Sequence, residues 1–550
     1  MNIQQIYQTS KELFNRELYS SVIDLIELSL PLDSLDRLNA YHHQCMLLKG
    51  EACFRLNQLE KAKACYSEAL GLLSSKSLND TPTGSLLKGF ESVRVHNRNY
   101  FHSKIARCML GLKDYEGAQE ELKKIHTQHL DSTTKLIWLK VGKVMDNPIA
   151  YRCGKELLKE SPCALEIIDE MLEMDDTSLE DLLHPSQPDW LKTYIRFKYH
   201  SVRLHQEAAQ AEMVTLDNIL APNAKINGEE ADMFYRQGEF SRALVHFKQA
   251  YKEDPYSDRL FGKYVNALAA LGKLNSLESV VMKRAGGAFP RSSQTLHGLS
   301  RIWELNGNIE GAEILCQKAC DLNCLDLDVL ITRGQLFYKQ GSFRLALGDF
   351  QVALSMQKNI LVYEGFVHAA CKLKDYGVAR VVAGNCIKNM PVNYRSHMLM
   401  GKVYFFESKA IKEHAGKAVE CFKQAAKLAP TCSTPILWMA LIERNLCDLE
   451  AAKKLIQGFL SHNSCAVATA QLGFLLLLAK EFDTAINYFE KAIRIQRNLR
   501  IAREGKRMAL AQKAGQYTDA PSTAEAIFNL KLAGIMDPLF EPWFDAPWST

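Results

Sequence analysis

The sequence predicts an all-α protein, a right-handed superhelical solenoid of about a dozen stacked helix pairs. Two observations carry this prediction. A fixed spacing of small and aromatic residues recurs about every 34 residues, and no stretch is rich in strand-forming residues. Proline is also scarce, with 16 in 550 residues, which favours long helices.

The clearest copy of the spacing begins at Ala231. Relative to that residue, an aromatic falls at +3, Ala at +12, Phe at +16, Ala at +19 and Pro at +24: Phe234, Ala243, Phe247, Ala250 and Pro255. This is the pattern of the tetratricopeptide repeat, whose nominal period is about 34 residues. Each repeat is a pair of antiparallel helices, and the small residues allow the two backbones to approach while the +16 ring fills the gap.

The same register continues to the end of the predicted solenoid. Further copies begin at Val265, Ser300, Gly334, Val367, Gly401, Ala440 and Gly473. Successive starts differ by 33 to 35 residues, except for one interval of 39, and we assign that excess to a longer turn over residues 407–416. Because one pair cannot cover its own apolar face, the pairs must stack and leave a groove lined by their first helices.

The pattern divides the chain into five predicted regions. They are N-terminal repeats over residues 1–73, a mobile inter-repeat loop over 74–92, degenerate helical repeats over 93–225, a regular superhelix with a capping helix over 226–513, and a tail over 514–550. The tail ends in three prolines, four large aromatics and three acids, a composition that cannot continue a helix. Trp543 and Trp548 are its candidate anchors, either on this chain's own repeats or in a groove of a neighbouring protein.

Composition and motifs argue against several functions. The 67 basic and 63 acidic residues leave a net charge of +4, which predicts no binding to nucleic acid. The N-terminus lacks the pattern of an export signal and no apolar run reaches the length of a membrane span, so we expect a chain that is neither secreted nor membrane-bound. Phosphate-loop, zinc-protease and nucleophile-elbow spacings do not occur, and we predict no enzyme activity and no cofactor.

Two clusters invite a site assignment. Cys316, Cys320 and Cys324 recur every fourth residue, but no fourth metal ligand lies nearby, so we interpret them as core positions and predict no metal site. Basic residues concentrate between Arg494 and Arg507, which we place on a broad face of one helix. That face either caps the stack with a polar surface or docks an acidic partner.

Several segments resemble, in order, the subunit-seven family of the anaphase-promoting complex (cyclosome). They are the runs at 161–172 and 188–192, the repeat that spans 234–256, and the run Val362-Tyr363-Glu364-Gly365-Phe366. The resemblance implies a non-catalytic scaffold in a ubiquitin ligase of the cell cycle, located in nucleus and cytoplasm. It also implies a homodimer formed through the N-terminal repeats, other cyclosome subunits as partners, and a groove for the peptide tails of activator proteins.

In a tetratricopeptide stack the groove is lined by residues at +1 and +4 from the small site of each first helix. Those positions supply the candidate groove residues Arg301, Gln335, Tyr338, His368, Lys402, Phe405 and Arg444. The three cations Arg301, Lys402 and Arg444 suit an acidic peptide, and the alternative is that they are ordinary solvated surface charges.

Three alternatives to the cyclosome scaffold stay open. The first is a sister cyclosome subunit, and the second is a repeat adaptor in ciliary transport or chaperone docking. The third alternative is an enzyme whose site lies in residues 130–225, where the repeat pattern is weakest and acidic residues cluster between Glu166 and Asp176.

Overall fold

In the computed structural model the described residues are helical and contain no strand. The described ranges are 3–29, 40–74, 91–125, 130–145, 147–174, 176–220, 223–287, 292–323, 326–408, 414–446, 448–497 and 499–514. The chain divides into two compact units, Met1–Arg196 and Phe197–Thr550, and each is described by itself below. The predicted all-α fold is confirmed.

The described residues of unit 1 before α11 form ten helices, which pack mainly against their neighbours in sequence. They are α1 (Ile3–Asn15), α2 (Tyr19–Ser29), α3 (Ala40–Arg55), α4 (Leu59–Ser74), α5 (Glu91–Gly111), α6 (Tyr115–Lys123), α7 (Ser132–Val144), α8 (Pro148–Glu160), α9 (Leu165–Leu172) and α10 (Leu179–Leu182). α11 (Asp189–Val202) contains the boundary between the units. The predicted loop over 74–92 lies largely outside the described residues, between α4 and α5.

Unit 2 contains the regular repeats. Its helices are α12 (Gln206–Ile219), α13 (Ala224–Arg236), α14 (Phe240–Glu253), α15 (Asp258–Ala270), α16 (Leu274–Ala285), α17 (Ser293–Leu305), α18 (Ile309–Leu322), α19 (Leu327–Lys339), α20 (Phe343–Met356), α21 (Ile360–Lys372), α22 (Tyr376–Asn389), α23 (Tyr394–Ser408), α24 (His414–Leu428), α25 (Thr434–Asn445), α26 (Leu449–Leu460), α27 (Ala466–Leu478), α28 (Phe482–Ile495) and α29 (Arg500–Lys513). Each predicted start from Ala231 to Gly473 lies on an odd-numbered helix, which is the first helix of its pair.

The small-residue and aromatic spacing packs the two helices of each pair together. A Cβ added at Gly334 would come within 2.9 Å of the Phe350 ring, and one at Gly401 would come within 2.5 Å of the Phe422 ring. Both rings are fully buried. The ring lies directly against the small site in both pairs, at +16 from Gly334 and, after the longer turn, at +21 from Gly401. Any larger side chain at the small site must displace this core ring.

The turn between the helices of a pair needs a left-handed residue. Gly238 and Gly307 have φ of +81° and +83°, a region that glycine occupies without steric cost. After α13, the Glu239 N–H donates to the Phe234 carbonyl at 2.9 Å, which closes the helix end. In unit 1 the same turn uses Asn57 and Lys113 with positive φ, so the degenerate repeats keep the turn without its glycine.

Two predicted details at the C-terminal side of unit 2 have different outcomes. The long interval after Gly401 extends α23 to Ser408, and residues 409–413, which separate it from α24, lie outside the described residues. The placement of the basic cluster on one helix is wrong. Arg494 belongs to α28, Arg497 lies in the following turn, and Arg503 and Arg507 are exposed on α29.

First helices of successive pairs also pack against one another: α13 with α15, α15 with α17, α17 with α19, α19 with α21 and α21 with α23. This second set of contacts places the first helices on the inside of the curve. The turn after α13 reaches the turn before α23, where Asn393 Nδ2 donates to the Gln237 carbonyl at 2.8 Å. The Arg395 guanidinium lies 5.6 Å from the centre of the Phe240 ring at the same contact. Helices α13 to α23 therefore enclose the inner face that they line.

Candidate partner-binding groove

All seven candidate groove residues lie on first helices of unit 2. Arg301 is on α17, Gln335 and Tyr338 are on α19, His368 is on α21, Lys402 and Phe405 are on α23, and Arg444 is on α25. The charged members are buried: Arg301, Lys402 and Arg444 keep 3%, 5% and 8% of their surface exposed. The alternative that these cations are ordinary solvated surface charges is therefore wrong.

Arg301 belongs to a buried ion-pair network. Its Nη1 donates to Glu304 Oε2 at 2.5 Å and to Gln335 Oε1 at 2.9 Å. Lys339 Nζ lies 3.1 Å from the other carboxylate oxygen of Glu304. The network ties α17 to α19, and it satisfies the charge of Arg301 within the repeats.

A second network joins α13, α15 and α19. Asp232 receives Arg236 Nη2 at 2.7 Å and Lys263 Nζ at 2.5 Å. Although burial opposes ionisation, these two cations hold the pKa of Asp232 well below its usual range. Asp232 is thus a buried carboxylate kept charged by its neighbours.

Asp328 has the opposite electrostatic setting. Its Oδ1 accepts hydrogen bonds from Tyr235 Oη at 3.3 Å and Asn266 Nδ2 at 3.2 Å. Complete burial raises the pKa of Asp328 to about 7. The charge of Lys263 opposes this increase in pKa, whereas Asp326 and Asp232 add to it. Burial therefore favours the protonated form of this carboxyl.

His297 extends this network to α17. Its Nε2 lies 2.8 Å from Thr332 Oγ1, and Thr332 in turn donates to the Asp328 carbonyl at 3.0 Å. Burial, reinforced by Arg301, lowers the pKa of His297 to about 3. The imidazole is neutral at physiological pH and acts as a structural hydrogen-bonding group.

The inner face changes character from α21 onward. His368 is 2% exposed, and neither ring nitrogen has a hydrogen-bond partner. Burial, followed by the charges of Lys402 and Lys372, lowers the pKa of His368 well below its usual value. The imidazole is therefore a neutral donor and acceptor beside two cations.

An aromatic cluster borders the cations of this stretch. Lys402 Nζ lies 5.7 Å from the centre of the Trp438 ring, and Phe405 meets the same ring edge-on at 5.1 Å. Trp438 stacks on Phe422, the core ring of the α23–α24 pair, at 5.6 Å. The packed ring of Trp438 thus offers Lys402 an aromatic surface that the repeat core holds in place.

Two acids of this stretch contact basic side chains. Glu364 pairs with Arg395 at 3.5 Å. Glu407 lies 3.0 Å from His414 and 3.8 Å from Arg380. These contacts join α21 to α23, and α23 to its neighbours α22 and α24.

Sequence reasoning missed the network residues Asp232, Tyr235 and Asn266. They occupy the same +1 and +4 positions that identified the other groove residues, in the repeats that begin at Ala231 and Val265. The spacing rule therefore contained the signal. Asp328, six residues before Gly334, falls outside that rule.

The remaining predicted sites are resolved only in part. Trp543 and Trp548 lie outside the described residues, as does Cys324. Cys316 is fully buried and its Sγ lies 3.5 Å from the Val329 carbonyl, as a core position requires. Within the described ranges no group of His, Cys, Asp and Glu side chains is arranged to hold a metal ion, and no helix has the length and apolarity to cross a membrane.

The acidic run in residues 130–225 forms ion pairs with lysines of α7. Lys140 binds Glu166 at 2.5 Å, and Lys143 binds Glu170 at 2.5 Å and Glu173 at 2.6 Å. These contacts join α7 to α9 and to the residue that follows it. They make Glu166, Glu170 and Glu173 part of the packing of unit 1.

The stacked helix pairs, their small-residue and ring contacts and their enclosed inner face define a tetratricopeptide-repeat protein. The pattern of the tetratricopeptide repeat family matches residues 43–72 and 469–499, which fall on α3–α4 and α27–α28 with the turn that follows. The chain is also similar to anaphase-promoting complex subunit 7. The Homo sapiens protein is 22% identical over 502 residues and the Mus musculus protein 23% identical over 505 residues, in each case covering 87% of this chain and 86% of the relative.

A solved structure shares the fold. The crystal structure of the APC/C hetero-tetramer Cut9-Hcn1 contains a chain that matches with a TM-score of 0.54 and 15% identity, covering 93% of this chain and 96% of that one. The match shows that the two chains share their fold over nearly the full length of each.

Proposed function

We propose that this chain is a non-catalytic scaffold subunit of an anaphase-promoting complex (cyclosome), a ubiquitin ligase of the cell cycle. The observation that carries the proposal is the similarity to subunit 7 over 87% of this chain and 86% of the relative. A match of this extent aligns the whole series of repeats, whereas a single shared repeat would align only a short segment. Ubiquitin transfer belongs to other subunits in this proposal, and this chain contributes protein contacts.

The residues of the inner face support a role in contact. Their polar groups are arranged along helices α13 to α25, as an extended peptide requires, and they do not converge on one reacting atom. Partners in this proposal are the other tetratricopeptide subunits of the complex and the peptide tails of activator proteins, in nucleus and cytoplasm.

Affinity purification of the tagged full chain at its natural expression level tests the proposal. We expect cullin-type and RING-type ligase subunits to be recovered in near-stoichiometric amounts. The control is an unrelated tetratricopeptide protein of similar length, carrying the same tag. Recovery of the folded chain alone would rule out the scaffold function.

The proposal includes a homodimer formed through residues 1–73. Leu28 on α2 is 76% exposed, a large apolar surface for a residue of a packed helix pair. Sedimentation equilibrium should give about twice the chain mass of 62.1 kDa, and Leu28→Glu should weaken the dimer at least ~10-fold. Leu510→Glu on α29 is the matched control, since Leu510 is also exposed. A monomeric wild-type chain would refute the homodimer while leaving the scaffold proposal intact.

A further inference from the structure

Two parts of unit 2 that are far apart in sequence meet at a contact that we call the seam. On one side are the turn between α11 and α12 and the turn between α13 and α14, and on the other is the turn between α22 and α23. Leu204, in the first turn, packs in the apolar core of α20 to α23. A Cβ added at Gly238, in the second turn, would come within 3.0 Å of Ile360 at the start of α21. The seam therefore brings separate repeats into direct contact.

The seam contains a cavity of about 250 Å³, the seam cavity, with mainly apolar walls. Leu204 and Met390 line it and are buried, at 5% and 3% exposure. Pro391 and Val392 line it and are exposed, so the cavity opens at the surface. Pockets that enclose drug-sized ligands measure about 300–1,000 Å³. The seam cavity is smaller, and it fits about one large side chain.

The seam cavity also contains a polar side chain whose hydrogen bonds are not made. Gln237 lines the cavity at 4% exposure, and neither Nε2 nor Oε1 of its amide has a hydrogen-bond partner. Its backbone is held in place, because the Gln237 carbonyl accepts from Asn393 Nδ2 at 2.8 Å across the seam. Burying an amide without hydrogen bonds costs free energy. An occupant that brings one donor and one acceptor to this side chain is therefore favoured.

The rim of the seam cavity is acidic. Among the described residues that line it, Glu207 is exposed and charged, and none is Lys or Arg. A second carboxylate, Glu239, accepts from Gln206 Nε2 at 3.2 Å and is paired with Arg242 at 2.9 Å. Glu207 thus favours an occupant with a basic residue beside its apolar side chain.

We propose that the seam cavity binds a tryptophan side chain from a basic segment of a partner protein. The indole ring combines a large apolar surface with a single N–H donor, which is placed to donate to Gln237 Oε1. A backbone carbonyl of the same segment accepts from Gln237 Nε2. The tail of this chain suits the rim poorly, because residues 536–550 contain three acids and no basic residue.

Binding at this site would brace the solenoid. The walls come from both sides of the seam, with Leu204 and Gln237 on one side and Met390 and Val392 on the other. An occupant therefore contacts both sides at once, and it stabilises the closed seam because it binds no other arrangement equally well. The inference goes beyond the proposed scaffold function and does not depend on it, since its test needs only this chain and a peptide.

Isothermal titration calorimetry of the full-length chain with three short peptides tests the inference. The probe is the acetylated and amidated tripeptide Lys-Trp-Lys, and the controls are Lys-Phe-Lys and Glu-Trp-Glu with the same end groups. We expect saturable one-to-one binding of the probe. The Phe peptide should bind at least ~5-fold more weakly, because it cannot donate to Gln237. The Glu peptide should also bind more weakly, because its carboxylates meet Glu207.

Two variants locate the binding site. Gln237→Leu removes the amide and nearly keeps its volume, so it should weaken the probe at least ~5-fold without weakening the Phe peptide. Val392→Trp fills the cavity from its exposed rim and should abolish binding of both peptides. Val378→Trp is the matched control, since Val378 is an exposed valine of α22 that does not line the cavity. Circular dichroism melting confirms that each protein is folded, and Val392→Trp keeps the test decisive if Gln237→Leu is unstable.

Several results would overturn the inference. Absence of saturable binding to the wild type excludes the site, and equal affinities of the Trp and Phe peptides exclude recognition of the indole. Equal probe affinity for the wild type and Val392→Trp, or equal losses in Val392→Trp and Val378→Trp, places the peptide elsewhere. Tighter probe binding to a chain with Trp543→Ala and Trp548→Ala than to the wild type assigns the cavity to the chain's own tail.

Discussion

The two halves of the inner face of unit 2 use buried charge differently. From α13 to α19, acids and bases bind each other within the repeats, as Asp232 does with Arg236 and Lys263. From α21 to α25, Lys402 and Arg444 are buried on the same face as His368, whose imidazole has no hydrogen-bond partner. The first half is a polar network that joins neighbouring first helices, and the second half contains a buried imidazole without such a bond. The same repeat pattern therefore accommodates buried polar groups in two different settings.

The largest expected effect is in the first half. Asp232→Ala leaves two buried cations without their shared carboxylate, and we expect it to lower the free energy of unfolding by about 3–5 kcal/mol. Urea unfolding followed by circular dichroism measures the loss. The matched control is Asp483→Ala, which removes an exposed ion pair with Lys513 and should change stability too little to resolve. Similar losses in both variants would contradict the division of the inner face.

The second prediction concerns pH. Because the pKa of Asp328 is raised to about 7 in the folded chain, this group binds more protons folded than unfolded between pH ~4 and ~7. Its ionisation therefore costs stability as the pH rises through that window. Asp328→Asn cannot ionise, so its stability relative to wild type should rise by on the order of 2 kcal/mol from pH 4 to pH 8. Thermal melts across that range measure the difference, and a difference that is constant with pH would show that Asp328 is ionised throughout.

The third prediction compares two buried histidines. His297→Leu removes the hydrogen bond to Thr332 and should destabilise the chain by about 1–2 kcal/mol. His368→Leu removes an imidazole that has no such bond and should leave stability unchanged or raise it by about 1 kcal/mol. Unfolding midpoints at pH 7.5, where both imidazoles are neutral, provide the comparison. Equal destabilisation by both substitutions would mean that His368 also makes a stabilising hydrogen bond, as His297 does.

The smallest expected effect tests what the two halves share. Gly334→Ala and Gly401→Ala each place a methyl group against the core ring of the pair, which is Phe350 or Phe422. We expect each to cost about 1 kcal/mol, because overpacking outweighs the better helix propensity of alanine. Thermal midpoints should fall by similar amounts in the two variants. A large difference would mean that the halves also differ in how their helix pairs pack.

The repeat fold was predictable because its signal is local. Small residues and rings recur at fixed distances, and Gly334 and Phe350 lie where that spacing places them. Gly401 and Phe422 meet in the same way once the longer turn between them is allowed for. The basic cluster was misplaced because the repeat spacing was not applied to it. The +24 region of the last repeat ends α28, where the Gln496 N–H donates to the Ala492 carbonyl at 2.9 Å. Counting three- and four-residue steps across that position merged two helices into one.

The polar network was less predictable because its contacts span several repeats. Tyr235 and Asp328 are 93 residues apart, and they meet only because the stack curves. Composition and spacing could place Tyr235 on the inner face, but they could not show which side chain it faces. The burial of Arg301, Lys402 and Arg444 depends on the same curvature and tight packing. The spacing rule identifies positions on the first helices, and it does not predict how deeply they are buried.

Hydrogen–deuterium exchange on the wild type and on Asp232→Ala tests most directly whether the polar network joins the first half of the inner face. In the variant, amide exchange should accelerate in α13 and α15, which share Asp232 through Arg236 and Lys263, while α21 to α25 keep their protection. Unchanged exchange in α13 and α15, or equal acceleration in both halves, would contradict the account.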